Sequence, residues 1–196
     1  MVEYSNMSKE DVIRASILKA AETFFQKWGI AKTTMEDIAR QVGKGKSTLY
    51  YYFKNKEEVL EAVAMAQAER ITLKVREELE KKETAKEKLL AYVYTSFRET
   101  RRAVTLFEIA RGEIKANKKV LQDVMNKYGA LEEKTLEAIL MFGSRRNEFK
   151  TIGTHDVKAT VRAIITVMRS LTIDLFIDND DKKLIDLIIE LLSEGI

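Results

Sequence analysis

The sequence contains no cysteine and no proline, and only one histidine, His155, among 196 residues. Without cysteine the chain forms no disulfide, no thiolate metal site and no thiol nucleophile. Nothing then argues against the reducing cytosol, and a cytoplasmic location is expected. One histidine leaves little for an imidazole metal cluster or a Ser–His–Asp relay. His155 itself reads as a surface residue near a helix start. The absence of proline favours continuous helices, because proline breaks them and belongs in turns. Long apolar runs are missing too. Runs such as Ala163-Ile164-Ile165 are a few residues, far short of a membrane span. The first ten residues hold no apolar run, so no signal peptide is expected.

What is present is globular in character: 45% hydrophobic and 33% charged residues, with length for one large domain or two small ones. The net charge of +3 hides an asymmetry. Residues 1–56 carry ten Lys/Arg against six Asp/Glu, whereas residues 57–196 carry 24 against 25. The whole positive excess therefore sits in the first quarter, and a basic module on a near-neutral body points to nucleic acid.

Apolar spacing predicts an all-helical chain, with no sustained alternation that would argue for a strand. Ser8 to Asp11 reads as a capping box, and Ile13, Ile17, Ala21, Phe24 and Trp28 then recur at helical spacing over 9–28, with Gly29 as the stop. Thr34 to Asp37 is a second capping box, opening a short helix to Val42 with Ile38 and Ala39 inward. After the turn Gly43-Lys44-Gly45, a third helix carries Leu49 and Phe53 on one face. Two short helices across a glycine turn, walled by the first, make a helix-turn-helix. Beyond it, helices are predicted at about 56–82, 85–101, 103–116, 118–142, 154–177 and 181–193, with Gly143 to Gly153 as the longest loop. The expected boundary divides a DNA-binding domain, 1–55, from a helical effector-binding and dimerisation domain, 56–196.

One stretch is a decoy. Gly43-Lys44-Gly45-Lys46-Ser47-Thr48 looks like a phosphate-binding loop. A P-loop needs glycine where this chain has Arg40, and a strand where it has a helix.

The segment from Ile17 to Lys56 resembles the DNA-binding domain of the tetracycline-repressor (TetR) family of transcriptional regulators. The residues that carry the resemblance are Ile17-Leu18-Lys19-Ala20-Ala21, Phe25, Gly29, Thr33-Thr34, Ile38-Ala39, Gly43, and Thr48-Leu49-Tyr50-Tyr51-Tyr52-Phe53 followed by Lys56-Glu57. Two positions depart from the usual pattern: Lys44 replaces a small apolar residue, and Gly45 replaces a better N-cap.

The resemblance implies base contacts from Lys46, Ser47, Tyr50 and Tyr51. It implies backbone contacts from Thr48, Tyr52 and Lys56, with Lys44 adding charge beside them. Thr33 and Thr34 open the preceding helix, where N–H groups and the dipole attract phosphate. Three successive tyrosines span most of a helical turn, so at least one must point inward.

The family further implies a homodimer and an effector pocket. Candidate pocket residues are Tyr92, Phe97, Phe107, Met125, Tyr128, Met141 and Phe142, although for any one of them ordinary core packing is the preferred reading. The last two helices are unusually apolar. Val161, Ile165, Met168, Leu184, Ile188 and Leu191 are the candidate dimer contacts, with packing inside the chain as the competing reading. The expected function is a repressor released from an inverted-repeat operator by a small molecule. The alternatives are an activator or a chromosome-organising protein without an effector. An enzyme is not expected, nor is a cofactor or a membrane partner.

Overall fold

The computed structural model describes residues 8–105, 118–149 and 157–174. Among them it is all-helical, as the sequence pattern predicts: α1 Lys9–Trp28, α2 Met35–Gln41, α3 Lys46–Tyr52, α4 Lys56–Glu80, α5 Ala85–Thr105, α6 Lys118–Arg145 and α7 Val157–Asp174. The chain divides into two compact units. The first holds residues 8–68 with the described parts of 104–125, and the second holds 69–103 with the described parts of 126–174. The division runs through α4.

In the first unit both predicted capping boxes form. The Ser8 hydroxyl accepts from the Asp11 N–H and the Thr34 hydroxyl from the Asp37 N–H, each at 3.1 Å. Gly29 ends α1 at φ 82°, a conformation that glycine adopts without strain. The inward stripe of α1 is Ile17, Ala20, Ala21 and Phe25. That corrects the stripe read from spacing. Phe24 is half-buried, and Trp28 is exposed under the Lys27 ammonium, 4.8 Å from the ring centroid. Ile17 and Phe25 meet Ile38, Leu49, Phe53, Val59 and Val63 in one core. Val59 and Val63, in the first two turns of α4, are thus part of the head's own packing.

In the second unit α4, α5, α6 and α7 share a core of Val75, Leu89, Tyr92, Val93, Leu136, Ile139, Leu140, Phe149, Val161, Ile164 and Ile165. The Lys88 ammonium donates to the Leu79 carbonyl at 2.7 Å, a cation placed favourably at the end of α4. The expected loop at Gly143 begins later, because α6 runs through Gly143 to Arg145. The chain then folds back. The Glu148 N–H donates to the Gly143 carbonyl at 2.9 Å, and Asn147 takes φ 55°, the left-handed exit that asparagine tolerates. No described helix is long and apolar enough to cross a membrane.

The dimer contacts chosen from the stripe on α7 are corrected. Val161 and Ile165 are buried in the chain's own core, and Met168 packs half-buried against it. The outward side of α7 instead carries Ala159, Ala163, Val167 and Ser170. Leu184, Ile188, Leu191 and Phe107, with the side chain of Met125, lie outside the described residues.

Candidate nucleic-acid interface

The first unit presents α3 on the pair formed by α1 and α2. The glycine turn decides its direction. Gly43 has φ 64°, where a side chain would be strained, and the Lys44 N–H closes α2 on the Ala39 carbonyl at 2.9 Å. Gly45 is the N-cap of α3 and has no side-chain bond to offer. α3 therefore starts at Lys46. Leu49 is fully buried and Phe53 nearly so. With these two pointing inward, the helical period turns Lys46, Ser47, Tyr50 and Tyr51 outward.

All four of those residues are exposed, and Lys44 with them. The tyrosines separate clearly. Tyr51 is 73% exposed and Tyr50 44%, whereas Tyr52 is half-buried against the head's core. Tyr52 is the inward member of the three. Its ring meets the Tyr51 ring edge-on, with centroids 5.1 Å apart, and burial pushes its phenol pKa up. The Tyr51 hydroxyl donates to the Glu10 carboxylate at 3.4 Å, a long bond that constrains it little. Thr48 is half-buried. The outward face thus offers one cation, one small hydroxyl and two phenols. These groups suit base edges and phosphate oxygens.

Three expected backbone contacts are placed differently. Thr33 is buried, and its hydroxyl donates to the Gly29 carbonyl at 2.7 Å. The Thr34 hydroxyl is exposed but engaged with Asp37, donating to the carboxylate at 2.6 Å. Asp37 is held below the usual carboxylate range by those bonds from Thr34. Lys56 is the clearest case. Its ammonium donates to the carbonyls of Ile30, Thr33 and Ala31 at 2.7, 3.1 and 3.4 Å. Three N–H protons meet three carbonyls, so this lysine is satisfied within the chain. It also stands in the first turn of α4, where the helix dipole disfavours a cation. The carbonyls following α1 offset that.

Lys56→Ala is accordingly expected to lower stability by about 1–3 kcal/mol, the range for losing hydrogen bonds to a charged group. The salt dependence of DNA binding is expected to stay unchanged, read by denaturant titration and by binding at several ionic strengths. A slope shallower by about one would return Lys56 to the phosphate contacts.

One contact across the head leaves no trace in sequence spacing. The Lys46 ammonium lies 2.6 Å from the Glu36 carboxylate of α2. The ten-residue separation crosses a turn, so no helical spacing rule reveals it.

The described pocket candidates of the second unit differ in burial. Tyr92 and Phe97 are buried, whereas Met141 is 45% exposed, which corrects its assignment. Phe142 is half-buried at the edge of the core, with the Lys88 and Arg146 cations over its ring. Tyr128 donates to Glu69 at 2.9 Å, and its phenol is pushed up to about 12, chiefly by burial. Thr95 and Ser96, which no pattern in the sequence singles out, are buried on α5 beside Tyr92. Burial and the Glu132 charge raise the Tyr92 pKa against a bond with Ser96. Glu132 in turn pairs with Arg169 at 2.9 Å. Polar groups thus reach into an otherwise apolar core.

Residues 17–63 match the family model described as bacterial regulatory proteins, tetR family. Over 50 residues the chain is 44% identical to the HTH-type transcriptional regulator TtgR of Pseudomonas putida, a match covering 26% of this chain and 24% of that one. The matched part therefore spans about a quarter of that relative's length. A longer match, 27% identical over 189 residues, is to the fatty acid metabolism regulator protein of Bacillus subtilis (strain 168), covering 92% of this chain and 93% of that one. Among solved structures, a TetR-family regulator from Rhodococcus sp. superposes with TM-score 0.71 at 18% identity, covering 93% of this chain and 97% of that one. FadR from Bacillus subtilis in complex with stearoyl-CoA superposes with TM-score 0.68 at 24% identity, covering 93% and 98%.

Proposed function

We propose that the chain is a transcriptional regulator of the TetR family, a repressor that binds an inverted-repeat operator as a homodimer and leaves it when a small effector binds. One observation carries the reading: a packed head from which α3 turns Lys46, Ser47, Tyr50 and Tyr51 outward together. A single α3 reads only a few base pairs. Two heads on successive major-groove faces, about 34–36 Å apart or a multiple of it, double the site and require a palindrome. Dimerisation through the outward side of α7, with Ala159, Ala163 and Val167, joins the candidates Leu184, Ile188 and Leu191 in supplying that symmetry. A monomer in sedimentation at micromolar concentration counts against it.

For the effector we propose a fatty acyl-CoA. The support is the full-length match to a fatty acid metabolism regulator and the likeness to a fold that holds stearoyl-CoA. Thr95 and Ser96, buried beside Tyr92, are the polar side chains of the second unit that this reading assigns to such a ligand. The effector acts by preferring the wrong spacing of heads, and its differential affinity alone sets how far DNA binding falls.

The test is selection of bound duplexes from a random pool by the purified protein, followed by stearoyl-CoA titration of the complex. Enrichment of one short palindrome and its release by stearoyl-CoA are the expected results. Enrichment without release refutes the effector and favours an activator or a chromosome-organising protein. No enrichment refutes the operator. In the same assay, Ser47→Ala and Tyr51→Ala are expected to relax preference at one base pair of each half-site by about 1–3 kcal/mol. Equal weakening on every sequence removes those two residues from base reading.

A further inference from the structure

We propose that Glu36 is an internal competitor of DNA for Lys46, so that it tunes operator affinity without touching the duplex. The inference rests on the reading of α3 as the helix that meets DNA. Lys46 is the single cation on α3 and sits in its first turn. Its ammonium is 2.6 Å from the Glu36 oxygen, and both side chains are more than half exposed. An exposed carboxylate at this distance occupies the place a phosphate oxygen takes on a bound lysine.

The surroundings keep Glu36 ionised. It lies in the first turn of α2, where the helix dipole favours an anion. Lys46 and Arg40 lower its pKa against burial and the neighbouring Asp37. The bond with Glu36 raises the Lys46 pKa in return. Both charges are therefore fixed through the neutral range, and the choice Lys46 faces is between two anions.

Binding DNA through Lys46 breaks this pair. The cost is that of an exposed ion pair, worth about two- to fivefold in affinity. The freed carboxylate also attracts a cation from solution, which offsets part of the counterion release at the phosphate. Glu36 should therefore both weaken binding and flatten its salt dependence.

The experiment compares wild type, Glu36→Gln, Lys46→Met and the double variant in the full chain. Anisotropy titrations use the selected duplex and a random duplex at several salt concentrations. Glu36→Gln is expected to tighten binding about two- to fivefold and to steepen the log–log salt slope by up to about 0.9. Loss of a negative charge also strengthens binding through the general field, so the double variant decides. With Lys46→Met already present, Glu36→Gln should give a clearly smaller gain. An equal gain in both backgrounds overturns the proposal. Weaker binding by Glu36→Gln alone also overturns it, and assigns the pair to holding Lys46 in place for DNA. Absence of DNA binding by wild type is a separate failure, that of the functional reading itself.

Discussion

Phe25→Ala is expected to lower the stability of the first unit by about 3–5 kcal/mol and to abolish DNA binding at concentrations where wild type is saturated. Phe25 is fully buried among Ile17, Ile38, Leu49 and Phe53. Its ring is the common support of α1, α2 and α3. A core of this size cannot collapse around the lost volume, because the shortest elements, α2 and α3, have seven residues each and no stability of their own. The loss is a large fraction of the total stability of a typical domain. Phe24→Ala and Trp28→Ala are the controls. One side chain is half-buried and the other exposed, so each should cost well under half as much. Urea titration followed by anisotropy on the selected duplex reads both effects. A Phe25→Ala protein that keeps the wild-type midpoint would mean that this ring does not hold the head together.

The contrast between Phe25 and Phe24 shows where the sequence is legible and where it is not. Caps and turns are local chemistry, and they are readable: Ser8, Thr34, Gly29 and Gly43 all sit where their residue types require. The all-helical class follows from the same short-range rules, together with the absence of proline. Which of two adjacent aromatics faces inward is not local. A stripe through 17, 21, 24 and 28 and one through 17, 21 and 25 both satisfy helical period, and only α2 and α3 decide between them.

The same limit explains the site. Exposure of Ser47 and Tyr51 follows from Leu49 and Phe53 pointing inward. The commitment of Lys56 to three carbonyls depends on a loop some 23–26 residues away, and the Lys46–Glu36 pair on the turn between two helices. On α7, an apolar stripe requires cover but does not name it. The chain's own core covers Val161 and Ile165.

Gly143 gives the second large effect, and here two physical arguments predict opposite signs. The residue lies inside α6, and glycine there is less favourable than alanine by about 1 kcal/mol. On propensity alone, Gly143→Ala stabilises the protein. Packing says the reverse. A Cβ at this position would run into the Phe149 ring and come within 2.7 Å of the Ala85 Cβ. Neither neighbour has room to move. Ala85 is the first residue of α5, and its N–H donates to the Glu148 carboxylate. Phe149 is held by the turn that closes on the Gly143 carbonyl. Overpacking of this kind costs about 1–3 kcal/mol, occasionally more, so Gly143→Ala is expected to destabilise the second unit on balance, and Gly143→Val to do so more severely. Truncating the ring identifies the cause. In a Phe149→Ala background, which is itself destabilised, adding Gly143→Ala should cost clearly less, because only the Ala85 contact remains, giving a coupling of about 0.5–3 kcal/mol in the double-mutant cycle. A stabilised single variant would show that propensity outweighs contact here. Additive costs would show that the strain lies elsewhere than against Phe149.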